Sequence, residues 1–152
     1  MAKMVAEMDR RFDAAEWHRE KIRVTLLAME NKTGPELESL VFKLMREPLL
    51  AEGIDPDGVE EAVLFDRDGR VYAPGYSTQI DVVLSDEQLW LVEVKATADH
   101  RDAWDLTKKA ELYELLRGRR PDRLYLVALH MRSGHAEYAR TLGVRTILGE
   151  FV

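Results

Sequence analysis

The sequence predicts an α/β fold: a mixed central sheet flanked by helices and preceded by a long N-terminal helix. Three observations lead there. Residues 78–84 and 89–96 are largely apolar runs of strand length whose charged residues are Asp81, Glu93 and Lys95. LYLVAL at 124–129 is an unbroken apolar run suited to a strand covered on both faces, and residues 1–30 contain neither Pro nor Gly. Helices and strands that alternate toward the C-terminus are the pattern of a sheet with helices packed on it.

In the first 30 residues Met1, Val5, Met8, Phe12, Ala15, Arg19, Ile22, Leu26 and Met29 follow a four-three spacing. That heptad seam predicts one long helix of about 45 Å, whose apolar stripe needs a partner. Residues 1–31 are therefore expected to be a dimerising coiled coil, and residues 34–152 the folded domain. NKTGP at 31–35 punctuates the chain, and Thr33 with Glu36 has the spacing of a capping box. A second helix is expected to run to about Glu47, with Leu37, Leu40, Val41 and Leu44 buried. Glu38 falls on the shoulder of that stripe, between Phe42 and Met45, an unusual place for a surface glutamate.

Short strands are expected at Val59–Phe65 and Arg70–Ala73, joined by a hairpin turn at DRDG. SDEQ at 85–88 makes the runs Thr78–Leu84 and Leu89–Ala96 antiparallel neighbours. A helix from about Asp99 to Leu116, a strand at 123–129, a short helix at His135–Leu142 and a strand at Val144–Leu148 complete the series.

The composition excludes some functions. The chain is 46% hydrophobic and 33% charged, with no apolar run near the ~18 residues of a membrane span, so no membrane partner is expected. MAKMVAEMDRRF lacks the apolar segment of a signal peptide, and with no cysteine for a disulfide framework a cytoplasmic location is expected. The net charge of -6 weighs against a non-specific nucleic-acid binder. Its distribution answers part of that objection: residues 50–93 hold eleven acids against two arginines, and the remainder is slightly basic.

The chemistry concentrates in QIDVVLSDEQLWLVEVKA, residues 79–96. Strand alternation puts Glu93 and Lys95 on one face, away from Trp90, Val92 and Val94. Asp81 lies on the preceding strand, away from Ile80, Val82 and Leu84. If the strands are neighbours, Asp81 and Glu93 can converge, and two carboxylates in a partly buried site repel unless a proton or cation lies between them. Hard cations such as Mg²⁺ suit such oxygen donors. A lysine beside them can orient a water or stabilise charge developing on a phosphate, which is the chemistry of metal-assisted phosphodiester hydrolysis.

In order, GPELESL at 34–40, STQIDVVL at 77–84 and LWLVEVKA at 89–96 resemble the PD-(D/E)XK nuclease superfamily, with Ile80 where the superfamily's name has Pro. The resemblance spans about Gly34 to Ile147. It is nearest in order and size to archaeal Holliday-junction-resolvase-like nucleases and to compact members with an N-terminal coiled coil. It implies a restriction-endonuclease-like fold and an endonuclease that cleaves DNA with Mg²⁺ or Mn²⁺. Carried over, Asp81 and Glu93 become metal ligands with the Val94 carbonyl, Lys95 the catalytic lysine, and Glu38 the early-helix acid. Lys108, Lys109 and Tyr113 fall on the helix where relatives place a polar residue facing the site. Lys108, Lys109, Arg117, Arg119 and Arg120 are the expected DNA contacts. The rival reading is a catalytically silent nuclease-fold protein that acts as a DNA-binding or coiled-coil assembly module. The four histidines show no ligand spacing, and Trp17, Trp90 and Trp104 read as packing residues.

Overall fold

The computed structural model describes Arg19 and residues 41–55, 58, 60–85 and 88–149, with 81–85 described by their backbone. The long N-terminal helix, its coiled-coil pairing and Glu38 lie outside the described residues. Five strands form one sheet in the order β1-β2-β3-β4-β5: β1 Glu60–Asp66, β2 Tyr76–Ser85, β3 Gln88–Ala98, β4 Arg123–Met131 and β5 Val144–Leu148. β1 with β2 and β2 with β3 pair antiparallel, whereas β3 with β4 and β4 with β5 pair parallel. The mixed sheet flanked by helices that the sequence predicts is therefore present, and it fits a nuclease fold.

Helix α1 (Arg46–Ala51) lies on one face, and α2 (His100–Arg117) with α3 (Ser133–Thr141) on the other. On the first face Val41, Met45 and Leu49 bury against Trp90, Val92, Tyr125 and Val127. On the second, Leu106 and Leu112 of α2 meet Ile80, Leu89, Leu91 and Leu126. Both faces of β3 and β4 are thus covered, as their apolar runs require.

Two local expectations are corrected. The helix expected to end near Glu47 instead breaks into a turn at Met45 and resumes as α1 through Ala51. Pro48 has no N–H to return to the residue four before it, so one continuous helix cannot cross this point. The strand expected at Arg70–Ala73 is absent too; these residues form a loop. Asp66 explains why: its carboxylate accepts the amides of Arg70 at 3.0 Å, Val71 at 3.1 Å and Tyr72 at 2.6 Å. Amides held by a carboxylate cannot enter a strand ladder. Gly69 completes the turn at φ 68°, where an added Cβ would stand 2.5 Å from the Pro74 nitrogen.

Helix α2 is capped at both ends. The Asp99 side chain accepts from the amides of Arg101 and Asp102, and the Asp102 side chain accepts from the Asp99 amide, a reciprocal box. Gly118 ends the helix at φ 70°, its amide donating to the Glu114 carbonyl. The helix is in this way fixed in register over β3.

Asp66 is 2% exposed, and the Tyr72 amide foremost, with those of Val71, Arg70 and Gly69, holds its carboxyl below the ordinary value against the opposing effect of burial. A lowered folded value means the contribution is complete above the unfolded pKa of about 4 and is lost as pH falls through the folded value. Asp66→Asn, which presents an amide to donors, is expected to melt below wild type at neutral pH. The gap should begin to close near pH 4; a gap undiminished in stronger acid would contradict this role for the carboxylate.

Candidate active site

β3 is the central strand of the site and of the sheet. Its even positions, Trp90, Val92 and Val94, are buried toward α1, and its odd positions Leu89 and Leu91 are buried toward α2. Glu93 and Lys95 continue the odd row along the same strand, so the sequence-derived sharing of one face is a feature of β3 itself. Glu93 is largely covered and Lys95 exposed.

What meets Glu93 is Lys109. The Lys109 ammonium donates to Glu93 Oε1 at 2.9 Å and to the Gln79 carbonyl oxygen of β2 at 2.8 Å. Its side chain is 11% exposed and that of Glu93 13%. Burial raises the Glu93 carboxyl above its ordinary range, and the charge and hydrogen bond of Lys109, then the charge of Lys95, oppose that rise. Desolvation wins here even with a cation in contact, the usual balance for an ion pair drawn out of water.

The pair belongs to a chain of polar contacts. Asp105, one turn before Lys109 on α2, has Oδ2 3.8 Å from the ammonium. Its Oδ1 accepts the Tyr72 hydroxyl at 2.8 Å. Burial, then the hydrogen bond to Asp105, pushes the Tyr72 phenol well above its ordinary value, so it remains a donor. The loop organised by Asp66 therefore delivers Tyr72 to α2, and α2 delivers Lys109 to Glu93.

Lys109 is the residue that sequence reasoning left unresolved, since Lys108, Lys109 and Tyr113 all fall on this helix. A signal was available: Ala103, Leu106, Lys109 and Leu112 fall at three-residue steps and are the buried residues of α2. A lysine within such a stripe must carry a partner inward. Lys109 is consequently turned inward to Glu93, whereas the expectation grouped it with Lys108 as a DNA contact. Lys108 points elsewhere, 5.1 Å above the Trp104 ring and 3.5 Å from Glu111. Trp104 itself is 49% exposed, not a core residue, whereas Trp90 is buried.

The remaining expected residues are placed as follows. Arg117 reaches the Val63 carbonyl at 3.4 Å, and Arg119 and Arg120 are exposed beyond the Gly118 cap. Val94 is buried and pairs with Val127 of β4. Asp81 is paired with Glu61 of β1 and Val92 of β3. The ladder between β2 and β3 stops at that rung, so Gln79 lies beyond it, where Lys109 takes its carbonyl. The Cα partner of Asp81 on β3 is thus Val92, and Glu93 lies one residue further along that strand. Among the described residues no three His, Asp or Glu side chains gather as a metal cluster. The rings of His100 and His135 stack at 5.1 Å, joining the start of α2 to α3.

A buried pair is sensitive to the loss of one partner. Lys109→Ala is expected to destabilise the fold by about 3 kcal/mol, the lower end for a broken buried ion pair, because a little water reaches both groups. The double variant Glu93→Gln/Lys109→Met should recover most of that loss in urea unfolding at neutral pH. A single variant as stable as wild type would show that the pair carries no such constraint.

Neither the curated proteins nor the solved structures contain a match to the chain. Residues 77–145 match the model of the PD-(D/E)XK nuclease superfamily, a stretch that runs from β2 into β5 and holds Asp81, Glu93, Lys95 and Lys109. The segment that forms the candidate site is thus similar to the PD-(D/E)XK nuclease superfamily.

Proposed function

We propose that this protein is a metal-dependent endonuclease that hydrolyses DNA phosphodiester bonds, working as a homodimer joined through its N-terminal helix. The observation that carries the reading is the superfamily match over the same residues that put Glu93 and Lys95 on one face of β3. The superfamily points to a nuclease; DNA as substrate and cleavage within the strand are this proposal's own.

The site fits a hard cation. Its oxygens already hold a positive charge, the Lys109 ammonium between a carboxylate and a backbone carbonyl, and these are donor types that Mg²⁺ or Mn²⁺ accepts. Glu93, with Asp81, Glu38 and the Val94 carbonyl, would hold it. When bound, such an ion polarises the phosphate and lowers the pKa of a coordinated water.

The chain's own groups supply the remainder. Lys95, exposed two residues beyond Glu93, would donate to the attacking water and to phosphate oxygens as their charge grows. Water adds to phosphorus while one P–O ester bond breaks, leaving a phosphate end and a hydroxyl end. Lys108, Arg117, Arg119 and Arg120, toward the C-terminal half of α2 and just beyond it, would hold the flanking backbone by phosphate contacts. Two protomers would present two sites to one duplex or branched DNA.

Labelled duplex, branched and single-stranded DNA incubated with Mg²⁺ or Mn²⁺ should be cut by wild type. Asp81→Ala and Lys95→Ala should each lose at least about a hundredfold in rate, the scale of removing one transition-state donor. Equal background in all three proteins would defeat the enzymatic reading and leave the silent DNA-binding or assembly module.

A further inference from the structure

Glu93 already has a cation beside it, and the protein itself supplies that cation. The Lys109 ammonium has a carboxylate oxygen at 2.9 Å and a backbone carbonyl oxygen at 2.8 Å. Lysine and a hard metal ion compete for the same kind of donor. We propose that Lys109 is a built-in cation that keeps Glu93 neutralised before metal binds, and that it yields Glu93 to the incoming ion by moving its ammonium to Asp105. This rests on the metal-dependent reading above.

Three features of the site support the exchange. Glu93 and Lys109 are both largely removed from water, with side-chain exposures of 13% and 11%, so neither charge tolerates the loss of its partner without a replacement. A divalent ion held by Glu93 would supply that replacement for the carboxylate and would repel the ammonium. The departing ammonium has a second acceptor in place: Asp105 Oδ2 stands 3.8 Å away with its side chain 42% exposed. Asp105 precedes Lys109 by four residues on α2, the favourable order for a helical ion pair.

The surrounding structure holds this acceptor steady. Tyr72 donates to Asp105 Oδ1, which leaves Oδ2 toward the lysine. Tyr72 is fixed in turn by its amide's bond to Asp66. The Gln79 carbonyl is open to Lys109 because the β2–β3 ladder ends at Asp81 and Val92. Lys109 is therefore a positioning residue that acts through Glu93. Lys95, exposed on the same strand, is left to meet substrate.

The test is an NMR titration of the full-length protein with MgCl₂. It follows the side-chain ammonium of Lys109, assigned through its own side-chain carbons so that no variant is needed, together with the Glu93 carboxyl carbon. Without Mg²⁺ the ammonium should give a signal protected from exchange with water. At saturation both resonances should shift together, with the ammonium losing that protection. A Glu93 shift with the Lys109 signal unchanged would overturn the displacement and leave the metal-dependent reading standing. Mg²⁺ that moves neither resonance would overturn both.

Discussion

The rest of the site depends on one contact, the ion pair between Glu93 and Lys109. A carboxylate in the middle of a covered strand is unfavourable by itself, and burial accordingly raises the Glu93 carboxyl even with the lysine present. Lys109 moderates that strain only if α2 lies at a fixed height and rotation over β3. The reciprocal cap at Asp99 and the left-handed Gly118 mark the two ends of the helix, and Leu106 and Leu112 set its face against Leu89 and Leu91. A rotation that removed Lys109 from Glu93 would also turn this apolar row out of the core.

The same contact explains two irregularities nearby. β2 stays paired to β1 through Tyr76, yet it leaves β3 at Asp81, and the lysine takes up the Gln79 carbonyl where the strands part. The loop between β1 and β2 gives up strand structure so that Asp66 can bind its amides, and it thereby places Tyr72 on Asp105. Both departures from regular sheet converge on the polar chain from Tyr72 through Asp105 and Lys109 to Glu93. Local rules are broken most where a site is being assembled.

Much of this was legible in the sequence. The alternation of LWLVEVKA separated Trp90, Val92 and Val94 from Glu93 and Lys95, and the structure keeps that separation because a central strand has few other ways to bury its apolar half. The turn at SDEQ and the stop at GRRPD bounded β3 and α2 within a few residues. Other features were hidden because they depend on contacts distant in sequence. The DRDG segment has the residues of a hairpin turn, but the Asp66 side chain, turned back on its own chain, decides the outcome. The inward turn of Lys109 was visible only as a lysine at three-residue steps from Leu106 and Leu112. The pairing of Asp81 with Val92 was not legible, since turn spacing does not fix register to one residue.

That register makes Asp81 the decisive residue of the account, which requires one cation shared by the Asp81 and Glu93 carboxylates. Calorimetric titration of Mn²⁺ into wild type, Asp81→Asn, Glu93→Gln and the double variant tests this most directly. Each single variant should bind at least about tenfold more weakly, about 1.4 kcal/mol, and the double variant should lose less than the two losses combined, since the groups serve one ion. An Asp81→Asn protein that binds Mn²⁺ as tightly as wild type, beside a Glu93→Gln protein that does not, would contradict the shared site.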